Sequence, residues 1–243
     1  MKIGIIGGSG MDNPQLLTDY QEHEWTTPFG APSDKLISGK IEDKEIVILA
    51  RHAKDHSIMP SKVPYRANIW ALKEIGCTHI LATTACGSLK DEFKPGSFVF
   101  LDQFIDFTKH RNLTFYEDKV IHTPMAEPFD LNLRQALIKS AQKLSFTYHE
   151  KGTIITIEGP RFSTKAESNL FRSWNVDVVN MSTVPEVILA NELNIPYQSI
   201  AMVTDYDCWK DGEESVTIDL IFKRMKDNAE RVTTLLMTTI KDI

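Results

Sequence analysis

Short apolar runs alternate along this chain with stretches in which apolar positions recur every three or four residues, the patterns of buried strands and of helices with one covered face. KIGIIG, near the N-terminus, reads as a first buried strand. LISGKIEDKEIVILAR reads as two strands joined at the polar Glu42-Asp43-Lys44, and HILATTACGS and SFVFLDQFID as further buried strands. Between them YRANIWALKEIG places Ile69, Leu72 and Ile75 at helical spacing and stops at Gly76. FDLNLRQALIKSAQKL is an amphipathic helix and TIITIEG a strand. Two helix starts carry the pattern of a capping box, Thr164-x-x-Glu167 and Thr183-x-x-Glu186. From about Thr217 a last helix sets Ile218, Ile221, Phe222, Met225, Ala229, Val232, Leu235, Leu236 and Ile240 on one stripe, the spacing of a helix packed on a sheet. This alternation is that of an α/β protein with a mixed sheet.

No repeat or composition break marks a linker, and 243 residues of which 42% are hydrophobic and 25% charged suffice for one large core, so residues 1–243 are expected to form one domain. The balance of 27 basic against 33 acidic residues, a net −6 without blocks of like charge, gives no footprint for nucleic acid or an anionic membrane. Any phosphate must then be met by a local site. Three cysteines, Cys77, Cys86 and Cys208, without a C-x-x-C pair fit buried thiols in a reducing cytoplasm better than a disulfide scaffold or a zinc site. MKIGIIGGSG is too short in its apolar part for a signal peptide, and no run of 18 apolar residues occurs, so a cytoplasmic protein is expected.

Ligands of α/β sheets bind beyond the strand ends, and three such ends carry small, hydroxyl or basic groups. They are Gly8-Ser9-Gly10, Arg51-His52, and Thr83-Thr84-Ala85-Cys86-Gly87-Ser88. The first is not a dinucleotide fingerprint, since Asn13 stands where the third glycine belongs, and it is not a P-loop, since it has no lysine. It is either a turn whose amides converge on a phosphate or a tight strand-to-loop connection. Arg51-His52 is either an anion site, with the guanidinium fork supplying charge, or a surface ion pair. A second cluster comprises EGPRFSTKAE, VVNMSTVPE and SIAMVTDYDCW. In the last of these Asp205 and Asp207 point to one side if the strand persists through Tyr206. Such paired acids are metal ligands, a general acid with a neutral partner, or solvated turn residues.

With these motifs in view the chain resembles the 5'-methylthioadenosine phosphorylase family of the trimeric purine nucleoside phosphorylase superfamily. The matching stretches run nearly end to end: IGIIGGSG, TPFGAPSD, RHAKDHSIMPSKVPYRANIWALKEIGCTHILATTACGSL, QFID, PMAEPF, TIEGPRFSTKAES, VVNMSTVPEV and SIAMVTDYDCWK. The resemblance implies a three-layer α/β/α sandwich with a mixed central β-sheet, assembled as a homotrimer with sites near the subunit interfaces. It assigns phosphate to Ser9, Arg51, His52, Thr84, Ala85 and Thr183, ribose and base contacts to Phe162 and Met181, and purine recognition and catalysis to Asp205 and Asp207. Ser163 and Ile218 fall at positions that shape specificity. The reaction implied is reversible phosphorolysis of S-methyl-5'-thioadenosine to adenine and 5-methylthioribose 1-phosphate, a step of purine and methionine salvage. Inorganic phosphate is the co-substrate, and no metal or organic cofactor is called for. The partners expected are the nucleoside and phosphate, with no nucleic acid and no membrane.

Two other functions remain to be weighed. A methylthioinosine or other 6-oxopurine nucleoside phosphorylase shares the fold, but carboxylates at 205 and 207 accept from a 6-amino group and repel a 6-oxo group. A non-catalytic nucleotide-binding protein would keep the pocket without turnover.

Overall fold

The structure is a computed structural model that describes residues 1–7, 17–213 and 217–243, without the side chains of 218, 220, 221, 222, 225 and 227. Among the described residues eleven strands form a mixed sheet: β1 (Lys2–Gly7), β2 (Thr18–His23), β3 (Leu36–Ile41), β4 (Lys44–Ala50), β5 (His79–Ser88), β6 (Phe98–Phe100), β7 (Gln103–Phe107), β8 (Tyr148–His149), β9 (Thr153–Ile157), β10 (Val178–Asn180) and β11 (Tyr197–Asp205). Five α-helices among those residues flank it: α1 (Tyr65–Glu74), α2 (Leu131–Lys143), α3 (Lys165–Ser173), α4 (Thr183–Glu192) and α5 (Ile218–Asp242).

The alternation of side chains along the central strands sorts them to two faces. From β4 and β5, Val47, Leu49, Ile80 and Ala82 point to one face, where they meet Ile69 and Leu72 of α1 and Val187 and Ala190 of α4. Ile46, Ile48 and Leu81 point to the other, against Leu133, Leu137 and Ala141 of α2 and Val232, Leu235, Leu236 and Ile240 of α5. A sheet with helices on both faces is the three-layer α/β/α sandwich that the resemblance implies, and the second core is closed by side chains from the C-terminal half of the stripe on α5. The N-terminal residues of that stripe, Ile218, Ile221, Phe222 and Met225, lie outside the described side chains. None of the described helices is long and apolar enough to cross a membrane.

Topology sets the site. β1 runs parallel between β4 and β5, with Gly7 beside Ala50 and Ile6 beside Ala82, so β1 and β4 end side by side while β5 runs on to Ser88. β11 runs parallel along the other edge of β5, and at its far end β5 also pairs antiparallel with β10. Four features depart from the sequence reading. SFVFLDQFID is two strands, not one: β6 pairs with β11 and β8, and β7 with β9. The exposed β2, whose residues TDYQEH carry no apolar alternation, gave no sequence signal at all. β11 ends at Asp205, and Asp207 sits in a turn at φ 50°, so strand alternation is not what brings the two acids together. Thr164 and Glu167 do form a reciprocal capping box, but α4 starts at Ser182 without a side-chain cap, and Glu186 is used elsewhere.

Candidate active site

One cavity of about 440 Å³ opens where β4, β5, β10 and β11 end, and both clusters marked in the sequence line it. Arg51, His52, Thr84, Ala85, Phe162, Ser163, Met181, Asp205 and Asp207 all stand on its wall. Thr183 does not. It is 1% exposed, and its Oγ1 accepts from Asn180 Nδ2 at 2.7 Å. The neighbouring Ser182 faces the cavity in its place, with its Oγ 2.9 Å from Thr84 Oγ1. Asn180 Nδ2 joins Thr183 to Thr84, which does line the cavity. Ser9 and the rest of Gly8–Gly10 lie outside the described residues, as does the side chain of Ile218.

Arg51 follows β4, and its backbone N–H donates to Gly7 O at 3.0 Å, tying the ends of β4 and β1. Its side chain is not an unopposed cation. Nε donates to Glu186 Oε1 at 2.5 Å, Nη2 to Glu186 Oε2 at 3.0 Å, and Nη1 to Thr83 O at 2.8 Å. Burial alone lowers the guanidinium's proton affinity, but Glu186 outweighs it, and the net shift is upward. Tyr197 OH donates to Glu186 Oε2 at 2.9 Å, so both oxygens of that carboxylate are engaged. Neither Glu186 nor Tyr197 was singled out from sequence. The V-P-E that follows Thr183 looks like a cap in one dimension, and only the fold carries its acid under β4.

His52 is held at two points: Ile58 N–H donates to its carbonyl at 3.1 Å, and its Nδ1 lies 2.8 Å from Ile58 O. A carbonyl only accepts, so Nδ1 carries the proton in the neutral ring. Burial and then the Arg51 charge push the imidazole down to about 4, so the ring is neutral at pH 7. Behind Thr84, Asn180 Nδ2 lies 3.0 Å from Thr84 Oγ1, while its Oδ1 accepts from Thr156 Oγ1 at 2.7 Å. This end of the cavity presents guanidinium N–H groups, hydroxyls and a neutral imidazole.

The opposite end is acidic. Asp205 Oδ1 accepts from Asp207 N–H at 2.7 Å, and its Oδ2 lies 2.6 Å from Thr204 Oγ1. Two of the carboxylate's four lone-pair positions are thereby filled. Burial raises the proton affinity of both Asp205 and Asp207 above that of an ordinary aspartate. A register shift in β11 between Val203 and Asp205 turns the acid toward Gly87 of β5, which lies beside both Asp205 and Val179. A Cβ on Gly87 would come within 3.0 Å of Asp205 Oδ1 and 3.2 Å of Asp207 Cβ, so only glycine admits the pair. Gly159, at φ 64°, lets Met181 approach in the same way: a Cβ there would meet Met181 Sδ at 2.6 Å. Met181 and Phe162 form apolar walls between the two ends.

Comparison with known proteins agrees with this arrangement. The sequence matches the phosphorylase superfamily over residues 2–241. It is 56% identical to the S-methyl-5'-thioadenosine phosphorylase of Xenopus tropicalis and 54% identical to that of Danio rerio, in each case over 100% of this chain and 89% of the relative. The fold superposes with a TM-score of 0.95 on the methylthioadenosine phosphorylase of Schistosoma mansoni in complex with adenine, at 46% identity over 99% of this chain and 91% of that one. A variant of the adenosine/methylthioadenosine phosphorylase of the same organism, in complex with methylthioadenosine, gives 0.94 at 45% identity.

Proposed function

Because the chain belongs to the phosphorylase superfamily, we propose that it is a pentosyltransferase that catalyses reversible phosphorolysis of S-methyl-5'-thioadenosine to adenine and 5-methylthioribose 1-phosphate. The observation that carries this reading is the polarity of one cavity, with anion-binding donors at one end and two buried acids of raised proton affinity at the other. Phosphorolysis needs that polarity. A phosphate oxygen approaches the anomeric carbon as the glycosidic C–N bond breaks and its electrons pass to the purine. The transition state is positive at the sugar and negative at the base.

In this reading Arg51, His52, Thr84, the Ala85 backbone and Ser182 hold phosphate in line with the bond, and Ser9 completes the set. Protonated Asp205 gives its proton to N7 of the departing purine, and the proton brought by hydrogen phosphate restores it, so charge and atoms balance. Asp207 accepts from the 6-amino group. Phe162 and Met181 flank the nucleoside, while Ser163 and Ile218 bear on its specificity. Phosphate is the only co-substrate required, and no step needs a metal.

The same reading makes residues 1–243 one nucleoside phosphorylase domain in a cytoplasmic homotrimer that serves purine and methionine salvage. Support for self-association is the exposure of apolar side chains on the stretch between β7 and α2, where Val120 is 79% exposed and Ile121 and Leu113 are exposed as well. The stretch SIMPSKVPYRANIW contributes less, since Val63, Tyr65, Ala67 and Ile69 are buried in the chain's own core and, of its apolar side chains, Met59 alone is exposed, at 47%. The free thiols of Cys77, Cys86 and Cys208 suit a reducing compartment. The deciding experiment is adenine release from methylthioadenosine with and without phosphate. Release only with phosphate is expected, and no release in phosphate would leave a binding protein. Light scattering at micromolar concentration reads the assembly, with a mass three times that of the chain expected.

A further inference from the structure

The phosphate end holds its arginine in an unusual state of charge. Arg51 is 3% exposed and Glu186 0%, and the two meet through a pair of parallel N–H···O contacts far from bulk water. Thr83 O takes a third N–H, leaving the guanidinium two of its five donors for the cavity. Tyr197 OH fixes the far side of the carboxylate, and Tyr197 is itself buried in β11. A phosphate-binding arginine built for affinity alone would carry no such partner, because the carboxylate subtracts attraction for the anion at close range.

We propose that Glu186 is a positioning residue for phosphorolysis. It fixes which edge of Arg51 faces the anion, and by cancelling the charge behind that edge it keeps phosphate exchangeable. The inference rests on the phosphorolysis reading for the identity of the anion. Its chemical sense lies in the product, which keeps a phosphate group and must leave the cradle that held the substrate. A dianion facing an unopposed buried guanidinium would dissociate slowly. A dianion facing an oriented but neutralised one is held by directed N–H groups and released. The cost of the arrangement falls on folding, since a buried pair gains little net stability over apolar packing.

The test is calorimetric titration of inorganic phosphate into the wild-type protein, Glu186→Gln and Glu186→Asp, with no nucleoside present, followed by kcat for adenine release at saturating phosphate. Gln keeps an acceptor for Tyr197 but deletes the charge. Its phosphate affinity is expected to rise roughly tenfold or more while kcat falls. Asp keeps the charge but withdraws it by one methylene, so it is expected to bind phosphate within about threefold of wild type and to lose kcat through misorientation. A folded Gln variant with unchanged or weaker phosphate binding overturns the proposal, as does a wild-type protein that binds no phosphate. If the Gln variant does not fold, the Asp variant decides: affinity kept with kcat lost supports the proposal, and tighter binding overturns it. Wild-type protein that binds phosphate but releases no adenine refutes phosphorolysis, and the calorimetric comparison of the variants still decides the role of Glu186.

Discussion

Asn180 Nδ2 lies 3.0 Å from Thr84 Oγ1 and donates to it, joining the end of β10 to the middle of β5. That one contact fixes the direction of a hydroxyl. With a lone pair of Thr84 Oγ1 taken by an N–H, the hydroxyl's own proton turns to its other neighbours, Ala85 O at 3.1 Å or Ser182 Oγ at 2.9 Å, or to a phosphate oxygen that takes their place. Asn180→Asp replaces the donor with a charged acceptor of the same shape and turns the hydroxyl proton backward. Phosphate KM is expected to rise by roughly 10² or more, from the lost donor and the added repulsion, with little change in nucleoside binding. A phosphate saturation curve identical to wild type, in a variant of normal melting temperature, excludes this role.

The base end is tested by Asp205→Asn. The site can accept the amide, because Thr204 Oγ1 also lies 3.2 Å from Cys86 O and can turn its proton there when Nδ2 replaces Oδ2. What is lost is the transferable proton. Turnover of methylthioadenosine is expected to fall by roughly 10² to 10⁴. Methylthioinosine should lose less or gain, since an amide donates to a 6-oxo group. The ratio of kcat/KM for the two substrates, at equal phosphate, reports the change, and a constant ratio removes Asp205 from base recognition.

Gly87→Ala places a methyl 3.0 Å from Asp205 Oδ1 and 3.2 Å from Asp207 Cβ. Backbone lies close as well, with Asp207 N at 3.3 Å, so the turn must shift rather than a flexible side chain yield. Expected are a cost of about 1–3 kcal/mol in stability and a rise in nucleoside KM larger than the rise in phosphate KM. Equal effects on both constants would place the damage elsewhere.

His52 makes stability depend on pH. Its imidazole is lowered from 6.5 to about 4, so between these values the unfolded chain binds a proton that the folded one refuses. Stability from this group is therefore full above pH 6.5, falls as pH drops toward 4, and is lost below. The span corresponds to about 3 kcal/mol. Asp205 and Asp207, raised by burial, act in the opposite sense over part of the same range, so the wild-type profile alone mixes the terms. His52→Asn retains a donor for Ile58 O without the titration. Urea unfolding of both proteins from pH 7 to pH 4 should show the wild type losing stability relative to the variant, and a constant difference contradicts a neutral, buried His52.

Much of the fold was legible because the core strands advertise themselves. HILATTACGS is β5 to the residue, and the polar break at Glu42-Asp43 is the turn of the β3–β4 hairpin. Edge elements such as β2 carry no such signal, since a strand solvated on both faces has no reason to alternate. The site was legible where chemistry sits on a core strand or just after it, as at Arg51, Thr84 and Asp205. It was illegible where a side chain acts across the fold. Glu186 is 135 residues from Arg51, and its spacing from Thr183 imitates a cap that the backbone does not form. Which of Ser182 and Thr183 lines the cavity depends on the backbone at the start of α4, where Val184 is extended, and no local pattern encodes that.

The strand β5 touches both ends of the cavity, with Thr84 and Ala85 among the anion donors and Gly87 against the acids. Three residues of extended chain measure roughly 10 Å. In the proposed complex the backbone is thus a ruler laid along the nucleoside, with one mark at the phosphorus and one at the purine, and held along this stretch by β11. The separation of the anion donors from the acids is then a property of the sheet, set before any side chain touches the sugar.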